Sequence, residues 1–320
     1  MIEKNEKELA DEFLEKCNIL REEIARIIMG QEESVRLLII SIFCSGHSLL
    51  VGVPGLAKTL LINTLAQALN LDFSRIQFTP DLMPSDIIGA ETLDRDRNFK
   101  FIKGPIFSNV VLADEINRTP PKTQSALLES MQEYAVTIGG TQHKLDRPFF
   151  VLATQNPIEQ EGTYPLPEAQ LDRFMLMIKL DYPDYQTEVK VIKNTTKNTH
   201  IAVKNVISKD EILTFQNLVR SVPVVDNVYE YAVSLVHKTR PGRVESSTLA
   251  NDYLEWGAGP RASQFLILGA KCHALMTGKY APDIEDVKAV AESVLRHRIV
   301  RNFKAEAAGI SETQIIQDLL

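Results

Sequence analysis

Apolar residues in this chain recur first at helical spacing and then in short unbroken runs. Leu9, Phe13, Leu20, Ile24, Ile27 and Ile28 fall on one face of residues 6–28 and predict an N-terminal helix or pair of helices. After Gly30-Gln31 the helical pattern resumes over Glu32–Phe43 through Val35, Leu37, Leu38, Ile39 and Ile42. Ser48–Gly52 and Phe73–Phe78 then read as strands, with a helix over Lys58–Leu69 between them. Asn109–Ala113, Phe149–Thr154 and Phe174–Leu180 are continuous apolar runs, the pattern of parallel strands covered on both faces. A helix over Pro121–Gln132 separates the first two. Two polar hairpins, Thr92–Ile102 and Ala135–Lys144, interrupt the series, the second turning at Gly139-Gly140. Strands alternating with helices predict an α/β fold, a parallel sheet between layers of helices.

After Pro183 the texture changes. A helix around Gln186–Ile192 leads into Lys193–Lys204, polar and rich in Asn and Thr, which reads as a linker. From Lys209 onward the pattern predicts only helices: Asp210–Val222, Val225–Thr239, Pro260–Thr277 and Ile284–Ile299, the last opened by Pro282-Asp283. The expected organisation is N-terminal helices with an αβα core over residues 1–192, a linker over 193–208 and a smaller helical domain over 209–320.

Composition narrows the classes. At 320 residues the chain has ample length for a buried core, and a net charge of −7 argues against a general nucleic-acid surface. Cys17, Cys44 and Cys272 are isolated and odd in number, so neither a disulfide framework nor a zinc site is expected. The apolar run Leu37–Cys44 is too short to span a bilayer, and the charged start MIEKNEKELADEF differs from a secretory signal. A reducing, cytoplasmic setting fits.

The chemistry gathers around Leu49–Leu61, LLVGVPGLAKTLL. A buried strand ending at Gly52, a turn of small residues (Val53, Pro54, Gly55, Leu56, Ala57) and a helix opened by Lys58-Thr59-Leu60 make a phosphate-binding order. Glycine lets backbone N–H groups close around phosphate oxygens, and the helix N-terminus adds its own donors and partial positive charge. Lys58 would reach the β and γ phosphates and the Thr59 hydroxyl would bind Mg²⁺. The pattern wants glycine before the lysine, and here stands Ala57. That is harmless if the position is helix-like and damaging if its φ is positive.

Three further strand ends carry polar residues. Val110-Val111-Leu112-Ala113 ends in Asp114-Glu115, where Asp114 would hold Mg²⁺ and Glu115 would polarise a water; otherwise the pair is a solvated strand end. Ala153-Thr154-Gln155 leads to Asn156, whose amide could hold that water or the γ-phosphate, or simply make a turn. Arg173, just before a strand, either pairs locally with Asp172, which the pattern favours, or reaches a neighbouring subunit's nucleotide. His47, Cys272-His273 and Arg296-His297-Arg298 read as core or surface residues, the last as a solvated helix end.

The ordered set GVPGLAKT, VVLADEINR, ATQNP and PEAQLDRF resembles the AAA+ ATPases, specifically their MoxR branch, from about Gly30 to Arg301. The segment GAGPRAS, Gly257–Ser263, is similar to the one carrying that family's sensor-2 arginine. The resemblance implies a P-loop core with a helical lid, ATP and Mg²⁺ as substrate and cofactor, and hydrolysis of ATP to ADP and phosphate. It matches Lys58 and Thr59 to Walker A, Asp114 and Glu115 to Walker B, Asn156 to sensor 1, Arg173 to the arginine finger and Arg261 to sensor 2. Ile28, Met29 and Gly30 fall where relatives contact adenine, and the two hairpins match the clade's inserts. It further implies a ring, hexameric in most relatives, that remodels or matures partner proteins, commonly alongside proteins with von Willebrand factor A domains. An ATPase subunit of a metal chelatase and a nucleotide-gated scaffold with little turnover are the competing expectations.

Overall fold

The computed structural model describes residues 5–93, 99–158, 162–197 and 202–320. The chain opens with α1 (Glu6–Ala25) and α2 (Glu32–Phe43), then runs β1 (Ser48–Val51), α3 (Lys58–Ala68), β2 (Phe73–Gln77) and α4 (Pro84–Ile88). A hairpin of β3 (Gly89–Leu93) and β4 (Phe99–Lys103) precedes β5 (Val110–Asp114) and α5 (Pro121–Glu133). The tip of the first expected hairpin, residues 94–98, lies outside the described residues. A second hairpin, β6 (Ala135–Ile138) and β7 (Thr141–Lys144), is followed by β8 (Phe150–Gln155), α6 (Glu168–Leu171), β9 (Leu176–Lys179) and α7 (Tyr185–Thr195). The C-terminal part comprises α8 (Lys209–Ser221), α9 (Asp226–Lys238), α10 (Thr248–Tyr253), β10 (Leu254–Trp256), α11 (Pro260–Met276), α12 (Ile284–Leu295), β11 (Val300–Arg301), α13 (Phe303–Ala307) and α14 (Glu312–Leu319).

Five strands form one parallel sheet in the order β2-β5-β8-β1-β9. Its continuous apolar runs have a simple cause. Side chains alternate across a strand, and both faces are covered: Leu50, Leu112 and Leu152 join a core with α1, α2 and α3, whereas Leu49, Val111 and Val151 join one with α5 through Leu127, Leu128 and Met131. His47 belongs to this packing. Its Nδ1 accepts the Val151 N–H at 3.0 Å and its Nε2 donates to the Met131 carbonyl at 3.0 Å. Both ring nitrogens are thus used by the neutral imidazole, and burial lowers its pKa to about 4.

The C-terminal helices do not pack apart from the rest. Phe13 of α1, Phe43 of α2 and Phe215 of α8 meet edge to face with centroids 4.9, 5.2 and 5.9 Å apart, inside one continuous core that also includes α11 and α12. Between α7 and α8, the Lys204 N–H donates to Glu23 and the Val206 N–H to the Ala68 carbonyl, tying this segment to α1 and α3. The helix starts are local in origin: Ser208, Asp283 and Ser311 cap α8, α12 and α14 in reciprocal capping boxes with Glu211, Asp286 and Gln314.

Two expectations are corrected here. The region after Lys209 is not purely helical, because β10 and β11 pair antiparallel. Nor are residues 296–298 a solvated helix end: α12 stops at Leu295, and His297 and Arg298 are buried against the entry to β9.

Candidate nucleotide site

In an open parallel sheet the carboxyl ends of the strands are where loops can converge on a ligand. β1, β5 and β8 are adjacent in the sheet, so the segments that follow Val51, Asp114 and Gln155 leave it side by side. The first carries Lys58 at the start of α3, whose ammonium donates to the Gly52 carbonyl. Partial burial lowers its pKa, while the Asp114 and Glu115 carboxylates, in that order, act to raise it. The lysine and both acids therefore share one electrostatic neighbourhood. Gly52 is required by close approach, since a Cβ there would lie 2.8 Å from the Leu180 carbonyl oxygen.

The two carboxylates diverge because the backbone reverses between them. Glu115 adopts φ 57°, a left-handed conformation, and begins a short 3₁₀ turn over Ile116–Arg118. Thr154 bridges the pair: the Glu115 N–H donates to its hydroxyl at 2.8 Å, and that hydroxyl donates to Asp114 Oδ1 at 2.7 Å. Arg75 of β2 takes the other Asp114 oxygen at 2.6 Å, and Gln77 donates to Glu115 Oε2 at 2.9 Å, with Arg118 3.3 Å from the same atom. Sequence reasoning missed Arg75, Gln77 and Thr154. Thr154 stood out only as a hydroxyl in the largely apolar β8, whereas Arg75 and Gln77 belong to a strand of mixed polarity and gave no such signal.

Asn156 is buried, and its Oδ1 accepts the Ile158 N–H at 3.1 Å, so the turn reading holds for the oxygen. The amide nitrogen is left as the donor end. Ala57 settles its open question on the unfavourable side. Its φ is 53° with ψ 27°, left-handed, in a residue that pays a steric penalty there. Met29 and Gly30 form a turn against α7: the Asn194 amide lies 3.6 Å from Met29 Sδ, and a Cβ on Gly30 would sit 2.5 Å from Thr187 Cγ2.

The two arginines lie elsewhere. Arg173 and Asp172 precede β9, at the amino edge of the sheet. β9 runs parallel to β1 with Ser48 opposite Leu176 and Val51 opposite Lys179, which separates Arg173 from the level of Gly52 by roughly 20 Å along the strand. Arg261, at the start of α11, donates to Asp172 Oδ2 at 2.8 Å. Asp172 does not pair with Arg173, which the pattern had favoured. Arg298 takes Asp172 Oδ1 at 2.8 Å instead, and among the described residues Arg173 makes no ion pair or side-chain hydrogen bond.

Arg298 is the second residue that sequence reasoning misjudged. Its guanidinium donates to the carbonyls of Asp172, Phe174 and Met175 as well as to the carboxylate, and stacks over Phe265 at 5.1 Å. Burial lowers its pKa to about 10, against the opposing pull of Asp172. His297 Nε2 donates to the Phe174 carbonyl at 2.9 Å, and burial pushes its pKa well below the usual imidazole range. The backbone on both sides of Arg173 is thus clamped, while among the described residues its side chain has no ion-pair partner.

The donor set suits a hard divalent cation held partly by a nucleotide. Thr59 and Asp114 offer oxygen, and among the described residues no cluster of three or more His, Cys, Asp or Glu could hold a metal alone. Mg²⁺ is commonly bound this way, by one or two protein oxygens with phosphate oxygens and water completing the octahedron. Among the described residues no helix is long and apolar enough to cross a membrane.

Comparison with known proteins agrees with this geometry. Residues 47–176 match the ATPase family associated with various cellular activities (AAA), and residues 246–319 match the AAA lid domain. Chaperone MoxR1 of Mycobacterium tuberculosis is 42% identical over 93% of this chain and 79% of its own length. YeaC of Bacillus subtilis is 40% identical over 93% and 91%. Protein MoxR of Methylorubrum extorquens is 29% identical over 93% and 90%. A crystal structure of a Cytophaga hutchinsonii protein bearing an ATPase designation superposes with a TM-score of 0.89 at 45% identity, covering 98% of this chain and 95% of its own. A parallel sheet between helices, a helical lid and these relatives together make the chain a member of the MoxR family of AAA+ ATPases.

Proposed function

We propose that this protein is a Mg²⁺-dependent ATPase that hydrolyses ATP to ADP and phosphate at the carboxyl edge of its sheet. In this reading residues 1–192 form the nucleotide-binding core, 193–208 the connection and 209–320 the lid. Residues 52–60 wrap the phosphates, and Met29 and Gly30 lie beside the adenine. Lys58 presents its ammonium to the β and γ phosphates, and Thr59 and Asp114 hold Mg²⁺. When bound, the ion neutralises charge on the phosphate oxygens. Glu115 orients the attacking water and accepts its proton, while the Asn156 amide nitrogen donates to the water or the γ-phosphate. Phosphoryl transfer asks the protein chiefly for positioning and charge stabilisation, which this set supplies.

The observation that carries the reading is that β5, β8 and β1 lie side by side in the sheet, so that the segments leaving them bring the Asp114-Glu115 pair, Asn156 and Lys58 to one edge. The placement of Arg173 and Arg261 extends it. Both sit together at the edge remote from the chain's own phosphate loop, which favours delivery to the nucleotide of a neighbouring copy. A closed ring of heterologous contacts, six-fold as in most relatives, gives every arginine pair a nucleotide to face. The relative named Chaperone MoxR1 supports a chaperone-like role, which in this reading is exercised in the cytoplasm by remodelling or maturing partner proteins. Proteins with von Willebrand factor A domains are the partners this reading expects.

Phosphate release by wild type and Glu115→Gln tests it. Loss of a general base lowers such rates by roughly 10²- to 10⁴-fold. The variant should therefore release phosphate at least about 100-fold more slowly while still binding ATP. Equal rates would overturn the assignment of Glu115 and the ATPase reading with it.

A further inference from the structure

Gln31 occupies the N-cap position of α2, where Ser, Thr, Asp or Asn would satisfy the first free N–H groups of a helix. Ser208, Asp283 and Ser311 do this for their own helices, but the Gln31 side chain makes no capping bond. It reaches across 25 positions in sequence instead, and its Nε2 donates to the Leu56 carbonyl at 2.9 Å. A carbonyl can only accept, so the amide orientation is fixed by chemistry. Leu56 immediately precedes Ala57, the left-handed residue, and Ala57 immediately precedes Lys58. The Leu56 carbonyl belongs to the peptide plane shared with the Ala57 nitrogen, so holding that oxygen restrains the rotation that Ala57 would need to leave its strained well. The root of the glutamine is itself fixed, because Gly30 sits at φ 72° hard against Thr187 of α7.

We infer that Gln31 is a positioning residue that holds Ala57 left-handed, so that Lys58 is aimed at the phosphates by a strut from the Met29-Gly30 turn. A glycine at position 57 would need no strut, since glycine adopts this conformation without a Cβ penalty. The device replaces a backbone freedom that alanine lacks with a side-chain hydrogen bond. The inference rests on the nucleotide reading and names a residue to which that reading gives no role.

Four chains test it: wild type, Gln31→Ala, Ala57→Gly and the double variant, each titrated with ATP and followed by thermal unfolding and steady-state kinetics. A neutral hydrogen bond of ordinary strength sets the scale. Gln31→Ala should weaken ATP binding roughly 3- to 10-fold and raise KM by a similar factor, with kcat nearly unchanged. In the Ala57→Gly background, whose loop needs no strut, adding Gln31→Ala should change ATP binding by less than about two-fold, without a matching rise in Tm. Gln31→Glu keeps the size and removes the donor, and should behave as Gln31→Ala; it carries the test if the alanine variant folds poorly. Binding by Gln31→Ala equal to wild type would overturn the inference, and so would a loss of roughly 3- to 10-fold on adding Gln31→Ala to Ala57→Gly. Failure of the wild type to bind ATP would overturn the nucleotide reading and this inference together, an outcome distinct from the other two.

Discussion

Arg261 Nη1 lies 2.8 Å from Asp172 Oδ2, and Asp172 adjoins Arg173, so α11 of the lid is fastened to the residue next to an arginine of the core that has no ion-pair partner among the described residues. Lid and core thereby present two guanidinium groups together, at the edge of the sheet away from Lys58. Any change in lid angle must move both arginines or break this pair. An arginine contributed to a transferring phosphoryl group is worth roughly 10³–10⁵ in rate. Arg173→Ala should therefore lower kcat at least about 1,000-fold with ATP affinity little changed, read from single-turnover hydrolysis beside equilibrium binding. A proportionate loss of binding instead would place Arg173 within its own chain's site.

Arg298 has the opposite fate, buried and fully engaged. Asp172 is its only carboxylate partner among the described residues, and stranding a buried charge typically destabilises by about 3–5 kcal/mol. Asp172→Asn should lose stability on that scale, measured by urea unfolding at neutral pH, and should lose hydrolysis through misplacement of Arg173. A change below about 1 kcal/mol would show that the carbonyls of residues 172, 174 and 175 alone suffice for the guanidinium.

Two buried histidines set a pH response. Burial lowers the folded pKa of His47 to about 4, from 6.5 for an ordinary histidine, and shifts that of His297 the same way. The unfolded chain therefore binds more protons as pH falls below about 6.5, and stability contributed by the neutral imidazole is lost downward from there. His47 alone should remove about 2 kcal/mol of unfolding free energy between pH 7.5 and pH 5. His47→Gln, although less stable at pH 7.5, should show a shallower decline over the same interval. An identical slope would mean that His47 is protonated in the folded protein.

Thr154 holds Asp114 and Glu115 in register with a single hydroxyl. Partners that orient metal ligands typically contribute 10- to 100-fold in metal affinity or activity. Thr154→Val keeps the shape and removes the hydroxyl. The Mg²⁺ concentration for half-maximal hydrolysis should rise about 10-fold; an unchanged Mg²⁺ dependence would detach Asp114 from the metal.

The strands and most helices were legible in the sequence because each follows from local pattern: alternating burial on two covered faces for Leu49-Leu50, Val111-Leu112 and Val151-Leu152, and capping residues such as Asp283 for the helices. The turn between β1 and α3 and the acidic end of β5 were legible because their residues are close in sequence. What escaped depends on distant pairing. Arg298 looked like a polar helix end until three carbonyls and a carboxylate from around β9 were brought to it. Arg75 and Gln77 acquire meaning only from the pairing of β2 with β5. Neighbourhood in sequence matched Asp172 with Arg173; packing against the lid gave it to Arg261 and Arg298. β10 and β11 escaped because strands of three and two residues leave no periodicity to read.

If one chain's phosphate loop is completed by the next chain's arginines, as we propose, two crippled chains should rescue each other when mixed. Lys58→Ala retains both arginines and lacks the loop lysine, while Arg173→Ala retains the loop and lacks the finger, so each alone should be inactive. Combined in equal amounts, about a quarter of randomly formed interfaces pair an intact loop with an intact finger. Recovery of hydrolysis to around that fraction of wild type is the predicted result. A mixture as inactive as its components, under conditions where mixed assemblies are shown to form, would contradict the account.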